Sequence, residues 1–379
     1  MKIRQIVAVG LHGATPEGGW GAELRPDDDV HTLVAVVTDA GAVGYGSAFT
    51  NSGLVKAALQ VLEPLYLGES ALEPERVSEK LHQNTFWMGR GGSITHAISA
   101  IDIALWDLLG QASGQSVGRL LGGRYRSRVM PYASLLMKEP DALAADLEGL
   151  LAQGFRAFKI GWGPFGRSSA ALDEAMVARA RAAIGDDCLL MVDAGGSDAF
   201  WPNGYKWAVR CAEMLAGYGV EWFEEPLNPD ALEDYVQLRL RSPVKIAGGE
   251  VLTRRQSFLP WLQARAFDIV QPDVTKVGGL SEERRIAWAA QDNDVAFVPH
   301  GWNTALGLAA DLQLAAALPN TSLVEYLTGS SYIDGIVAMP WRLEADGMLA
   351  IPDGPGLGVA LDLDAVAHYA RGQRLPAPA

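Results

Sequence analysis

LLMVDAGGSDAFWPNGYKWAVRCAEMLAGYGVEWFEEPLNPDALEDYVQLRLRSPVKIAGGE, residues 189–250, is the stretch whose reading decides the fold. Three short apolar runs begin at Leu189 (LLMVDAG), Glu221 (EWFEEP) and Val244 (VKIAGGE), and each closes on an acidic residue beside a turn. Helical patterns separate them, so the repeating unit is strand, helix, strand. The unit continues on both sides, with strands expected from Val129 (VMPYASLL), Ala157 (AFKIG), Asp268 (DIVQPD), Ala296 (AFVPH) and Leu323 (LVEYL). Eight such units suit a closed parallel barrel better than an open sheet. The expected class is α/β, with the barrel over residues 126–345.

Residues 1–125 read differently. Segments 2–9, 31–38 (HTLVAVVT) and 43–47 have strand character, and the chain turns helical from Gly53 to about Gly122. In SITHAISAIDIALWDLLGQ the residues Ile94, Ile98, Ile101, Leu105 and Leu108 share one helical face. An α+β capping unit is expected here, with the turn-rich tail 346–379 returning to cover it. The segment Gly10–Gly21 lacks the Gly-Lys-Ser/Thr ending of a phosphate loop and reads as a flexible lid.

Composition excludes several classes. Of 379 residues, 49% are hydrophobic and 20% charged, as in an ordinary globular enzyme. The net charge of −14 opposes nucleic-acid binding, which needs phosphate-neutralising cations. No run approaches the roughly 20 apolar residues of a membrane span, and the N-terminus MKIRQIVAVGLHG lacks the pattern of a signal peptide. Cys188 and Cys211 have no partner at metal-ligand spacing, so a reduced, cytoplasmic protein is expected.

Active sites of such barrels lie at the C-terminal ends of the strands. Those positions hold Lys159, Asp193, Glu224 with Glu225, Glu250, Asp273, His300 and Glu325. Acids at three successive strand ends repel one another unless a cation lies between them, and an all-oxygen donor set suits Mg²⁺ rather than zinc. Asp193, Glu224 and Glu250 are therefore the expected metal ligands. Strand alternation favours Glu224 over Glu225. His300, with Asp273 fixing its tautomer, is the expected base.

The motifs AIDIALWDLLG, RLLGG, FKIG, MVDAG, WFEEPL, GGE, QPDVTKVGG, PHGW, VEY and IPDGPGLG, in this order, resemble the enolase superfamily and its mandelate racemase-like subgroup over nearly the whole chain. The resemblance implies a (β/α)7β barrel under a capping domain and one Mg²⁺ per subunit. It also implies a small-molecule carboxylate substrate, and homo-oligomers from dimer to octamer. Lys159 matches the first Lys of the subgroup's Lys-x-Lys motif, where it assists the substrate carboxylate. The second Lys, the base on the opposite face, is replaced by Gly161. Glu325 matches the acid of the last strand, which bonds the carboxylate and, if protonated, stabilises an enediolate. Trp20, Phe49, Trp87 and Arg90 fall in capping-domain loops that the family uses for specificity, and Trp302 and Asn303, directly after His300, either line the expected sugar pocket or serve as packing residues.

Racemisation asks for a base on each face, and only His300 is evident. β-Elimination of water from an aldonic or aldaric acid, giving a 2-keto-3-deoxy acid, needs one base and is the expected reaction. A cycloisomerase comes second, an epimerase third, and a non-catalytic metal-binding scaffold is the contrasting class.

Overall fold

The computed structural model describes residues 1–16, 24–198 and 200–378. Strands β1 (Ile3–Leu11), β2 (His31–Thr38) and β3 (Val43–Ala48) form an antiparallel meander. Helices α1 (Ser52–Tyr66) and α3 (Ser93–Ser113) pack on it, and α2 (Pro74–Asn84) packs on those two helices. Ile98, Ile101, Leu105 and Leu108 of α3 join Val34, Val36 and Leu62 in one core, while Ile94 lies at its edge. The opposite side of α3 sends Ile103 and Trp106 into the larger barrel core. A helix apolar all round is one buried on both sides.

Close approach of β3 to α3 depends on two glycines. A Cβ on Gly44 would lie 2.2 Å from the Ala104 carbonyl oxygen, and one on Gly46 only 2.0 Å from that of Ala100. α3 in turn is tied to the barrel helix Leu280–Asp292. Asp102 accepts from Ser281 N at 3.0 Å and Oγ at 2.5 Å and from Ser78 Oγ at 2.6 Å, and Trp106 Nε1 donates to Ser281 Oγ at 2.9 Å.

The remaining strands are β4 (Arg128–Leu136), β5 (Ala157–Gly161), β6 (Leu189–Asp193), β7 (Trp222–Glu224), β8 (Lys245–Gly248), β9 (Ile269–Val270), β10 (Ala296–Phe297) and β11 (Leu323–Leu327). All are parallel, in the order β10-β9-β8-β7-β6-β5-β4-β11. The sheet curls until its two ends meet, where Phe297 N–H donates to the Asn320 carbonyl at 3.3 Å. Its interior holds a cluster of Tyr132, Ala157, Met191, Trp222, Ala247, Ile269, Val298 and Leu323, one residue from each strand or the residue just beyond it. This is an α/β barrel beneath an N-terminal cap, the architecture that the sequence resemblance implies.

The tail runs back across both units. β12 (Leu349–Ala350) pairs with β4, Leu357 N–H donates to Asp107 of α3 at 3.0 Å, and His12 N–H donates to the Tyr369 carbonyl at 2.9 Å. No helix among the described residues is long and apolar enough to cross a membrane.

Gly46→Ala is expected to destabilise the protein by about 1–3 kcal/mol through overpacking against α3. A lowered midpoint of thermal unfolding checks this; an unchanged midpoint contradicts the β3–α3 contact.

Candidate metal and acid–base site

Strand periodicity builds the site. Each interior apolar residue has a neighbour two positions on that points the same way, which sets Ser134, Lys159, Asp193, Glu224, Gln271, His300 and Glu325 in a polar layer above the apolar one. After β8 the alternation is broken at Gly249, whose φ of 117° suits glycine, and the next residue, Glu250, joins the layer. Asp193 and Glu224 end their strands, whereas Glu250, Asp273 and His300 lie just beyond β8, β9 and β10.

Carboxylate oxygens of Asp193, Glu224 and Glu250 all fall within 4.8 Å of one another, and all three residues are buried. Burial first, and then the Glu224 charge, raise the Asp193 carboxyl well above the usual range. Glu225 is also buried, at a left-handed φ of 41°, and burial together with the Glu250 charge pushes its carboxyl up to about 8. With Asp273 and Glu325, six buried acids face two buried lysines, Lys159 and Lys276, and His300. The excess of negative charge and the all-oxygen donors fit a hard divalent cation between Asp193, Glu224 and Glu250.

Each acid of the triad is aimed by a neighbour. Glu224 accepts from Trp222 Nε1 at 2.9 Å, Gln271 Nε2 at 2.7 Å and Lys159 Nζ at 2.5 Å. Asp193 accepts from Gly195 N at 2.8 Å and Trp162 Nε1 at 3.0 Å. Trp162 stands at φ 60°, uncommon for a residue with a side chain. Gly161 allows Asp193 its place, since a Cβ there would lie 2.6 Å from Asp193 Cβ.

Lys159 Nζ also lies 3.0 Å from Glu325 Oε1 and 3.7 Å from Asp193 Oδ2. Burial works against its charge, yet Glu224 and Glu325 hold its pKa well above the ordinary value. Glu325 accepts from Gly301 N at 2.8 Å. Burial raises its carboxyl, and Lys159 with His300 outweighs that, so Glu325 is held ionised rather than protonated.

His300 Nδ1 lies 2.8 Å from Asp273 Oδ2, and its Nε2 lies 3.0 Å from Glu250 Oε2. Asp273 Oδ1 accepts from Thr275 N at 2.7 Å and Oγ1 at 2.6 Å. Burial raises the Asp273 carboxyl, but the His300 hydrogen bond, Lys276 and Thr275 hold it at about 2. Asp273 is thus a fixed charge that orients the imidazole.

A cavity of about 480 Å³ opens above these groups, lined by Lys159, Gly161, Trp162, Asp193, Glu250, Lys276, His300 and Trp302 and, from the cap side, by Asp29, Phe49, Asn51 and His96. Trp302 and Phe49 therefore reach the cavity. Asn303 does not, since it is fully buried at the start of helix Ala305–Ala317, its amide packed where a Cβ on Gly307 would lie. Arg90 is exposed and stacks on Phe86 at 5.2 Å, and Trp87 is 99% exposed; neither lines the cavity. Their segment precedes α3, and its last residue, Gly92, does line the cavity. Trp20 lies outside the described residues. Trp162, Lys276 and His96 are lining residues that sequence periodicity does not single out, because they sit on turns or on a helix from the other unit.

Residues 27–122 match the mandelate racemase/muconate lactonizing enzyme N-terminal domain, and residues 142–365 the enolase C-terminal domain-like family. The chain is 35% identical over 374 residues to the D-galactarolactone cycloisomerase of Agrobacterium fabrum, covering 94% of each chain. It is 31% identical to the D-xylonate dehydratase of Haloferax volcanii, over 90% of this chain and 86% of that one. The crystal structure of the 3,6-anhydro-D-galactonate cycloisomerase from Zobellia galactanivorans superposes with a TM-score of 0.86 at 30% identity, covering 97% of this chain and 99% of that one.

The donor set predicts that Mg²⁺ at 100 times its Kd stabilises the protein by about 2.7 kcal/mol. Glu224→Gln is expected to abolish that gain and Gly161→Ala to weaken it by displacing Asp193. Thermal unfolding with and without Mg²⁺ reads this; equal gains in all three proteins contradict the site.

Proposed function

The chain belongs to the mandelate racemase/muconate lactonizing enzyme family of the enolase superfamily, and we propose that it is a Mg²⁺-dependent dehydratase of an acid sugar. Its relatives are acid-sugar dehydratases and cycloisomerases, which places it among those enzymes. One observation sets a one-base elimination ahead of racemisation: among the described residues His300, tied to Asp273 at 2.8 Å, is the imidazole that touches the acid triad, and Gly161 stands where a second lysine base would be.

Asp193, Glu224 and Glu250 are the residues proposed to hold the cation. When bound, it supplies positive charge that acidifies the hydrogen on the carbon next to the substrate carboxylate. The chain's own residues do the rest. His300 Nε2, its other nitrogen engaged by Asp273, receives the α-proton. The Lys159 ammonium, held charged by Glu224 and Glu325, sits where negative charge grows on the carboxylate oxygens. Glu325, ionised, fixes Lys159 and the Gly301 backbone rather than offering a proton. Collapse of the enediolate expels the oxygen on the β-carbon, giving the enol of a 2-keto-3-deoxy acid.

Cycloisomerisation is the second reading, supported by the 35% identity to a galactarolactone cycloisomerase. It uses the same enolate, with a ring or lactone oxygen as the leaving group.

His300→Asn is expected to lower turnover by at least a hundredfold, the scale of general-base catalysis, and to leave Mg²⁺ stabilisation intact. Aldonic and aldaric acids, D-xylonate and D-gluconate among them, are the substrates to test, with 2-keto acid release as the readout. Undiminished activity in His300→Asn contradicts the assigned base. A silent screen with lactone opening present moves the assignment to cycloisomerase.

A further inference from the structure

Lys276 has no part in the chemistry described so far. It lies in the turn after β9, three residues beyond Asp273, and is 7% exposed, yet it lines the cavity. Its Nζ stands 3.8 Å from Asp273 Oδ2, 3.9 Å from Glu250 Oε1 and 4.3 Å from the centre of the Phe49 ring. These are ion-pair and cation–π distances, too long for hydrogen bonds. Among the described residues no acceptor takes a hydrogen bond from this ammonium, although it carries three donors. A cation enclosed by protein, opening on a cavity, with its donors unspent, is placed to grip an oxygen of whatever fills the cavity.

Its position relative to His300 narrows which oxygen. Asp273 Oδ2 is 2.8 Å from His300 Nδ1 and 3.8 Å from Lys276 Nζ. The Glu250 carboxylate presents Oε2 to His300 at 3.0 Å and Oε1 to Lys276 at 3.9 Å. Both groups therefore spread from the same two acids and flank one side of the site. Lys159 approaches from the other side, paired with Asp193, Glu224 and Glu325. A substrate whose α-hydrogen faces His300 carries its β-oxygen one bond further along. The group at hand on that side is Lys276.

We propose that Lys276 is the catalytic acid of the elimination, bonding the β-oxygen of the substrate and protonating it as it departs. The inference rests on the proposed function, because it concerns the second half of that reaction. In the step, His300 Nε2 takes the α-proton and the C–H electron pair passes into the enediolate. On collapse that pair forms the Cα–Cβ double bond. The β-carbon–oxygen bond breaks with its electrons on oxygen, which takes one proton from Nζ and leaves as water, or as a ring-opened hydroxyl. Lysine is then neutral and regains its proton from solvent. No external oxidant or reductant is required. Base and acid on one side give removal of both groups from one face, and a single imidazole does not have to perform both tasks.

The test uses the full-length enzyme with Mg²⁺ and whichever of D-xylonate, D-gluconate and D-galactonate the wild type turns over fastest. Two rates are followed in deuterated water: wash-out of the α-proton by NMR, and 2-keto acid release. Lys276→Met removes the ammonium. Lys276→Arg keeps charge and reach but holds its proton too tightly to act as an acid. Both variants are expected to retain α-proton wash-out within about tenfold and to lose water elimination by about a hundredfold or more, the scale of general acid catalysis. On the 3-deoxy-3-fluoro analogue of the same acid the loss is expected to fall below about tenfold, since fluoride departs without a proton. Full elimination in Lys276→Met, full rescue by Lys276→Arg, or equal losses of wash-out and elimination each overturn the acid. Mg²⁺-dependent thermal stabilisation of both variants shows that they fold around an intact triad. A wild type that neither washes out the α-proton nor releases 2-keto acid from any of the three acids overturns the proposed function itself, and this inference with it.

Discussion

Mutual repulsion among carboxylates buried at one end of the barrel is the constraint on which the rest of the site depends. Asp193, Glu224 and Glu250 converge where bulk water does not screen them, with Glu225, Asp273 and Glu325 close by. Paired or neutralised, such groups are tolerable; alone, each would shed its charge. The protein answers with directed donors. Trp222, Gln271 and Lys159 converge on Glu224, Trp162 and the Gly195 amide on Asp193, and Thr275 and His300 on Asp273. What these donors leave over is an excess of negative charge on three carboxylates with oxygens within 4.8 Å of one another, a donor set that fits one divalent cation.

The scaffold serves that arrangement. An apolar ring with Tyr132, Met191, Trp222 and Leu323 closes the barrel beneath the acids and keeps water from reaching them from below. Above, α3 is clamped to the barrel helix Leu280–Asp292 through Asp102, Trp106 and Ser281. That clamp sets the cap, and with it Phe49, Asn51 and His96, over the cavity. The chemistry is thus placed by strands, while the walls that meet the rest of a substrate come from loops and from the cap. Relatives that share the polar layer can differ in which acid sugar they accept.

Much of this was legible in the chain because a strand has a period of two. Apolar runs ending in Asp, Glu, Lys or His announce a closed barrel with chemistry at one rim, and Asp193, Glu224, Glu250, Asp273 and His300 lie where that period puts them or one glycine away from it. Periodicity is silent on turns. Trp162 reaches Asp193 only through a left-handed backbone, and Lys276 enters the cavity from a turn that follows a two-residue strand. Proximity in sequence also misleads. Asn303 follows Trp302, yet it turns into the packing of a helix while Trp302 faces the cavity, and Arg90 sits beside Phe86 on an exposed segment. The pairing of Glu325 is also hidden from periodicity, because the lysine 3.0 Å from it comes from a strand distant in sequence.

The site is proposed to be organised around one divalent cation held by the triad. Crystals soaked in Mn²⁺, with anomalous diffraction recorded at a wavelength sensitive to manganese, test it most directly. The account predicts one strong peak per chain, about 2 Å from oxygens of Asp193, Glu224 and Glu250, the distance of a hard octahedral cation from its ligands. No peak there, or a peak only at surface carboxylates, would contradict it.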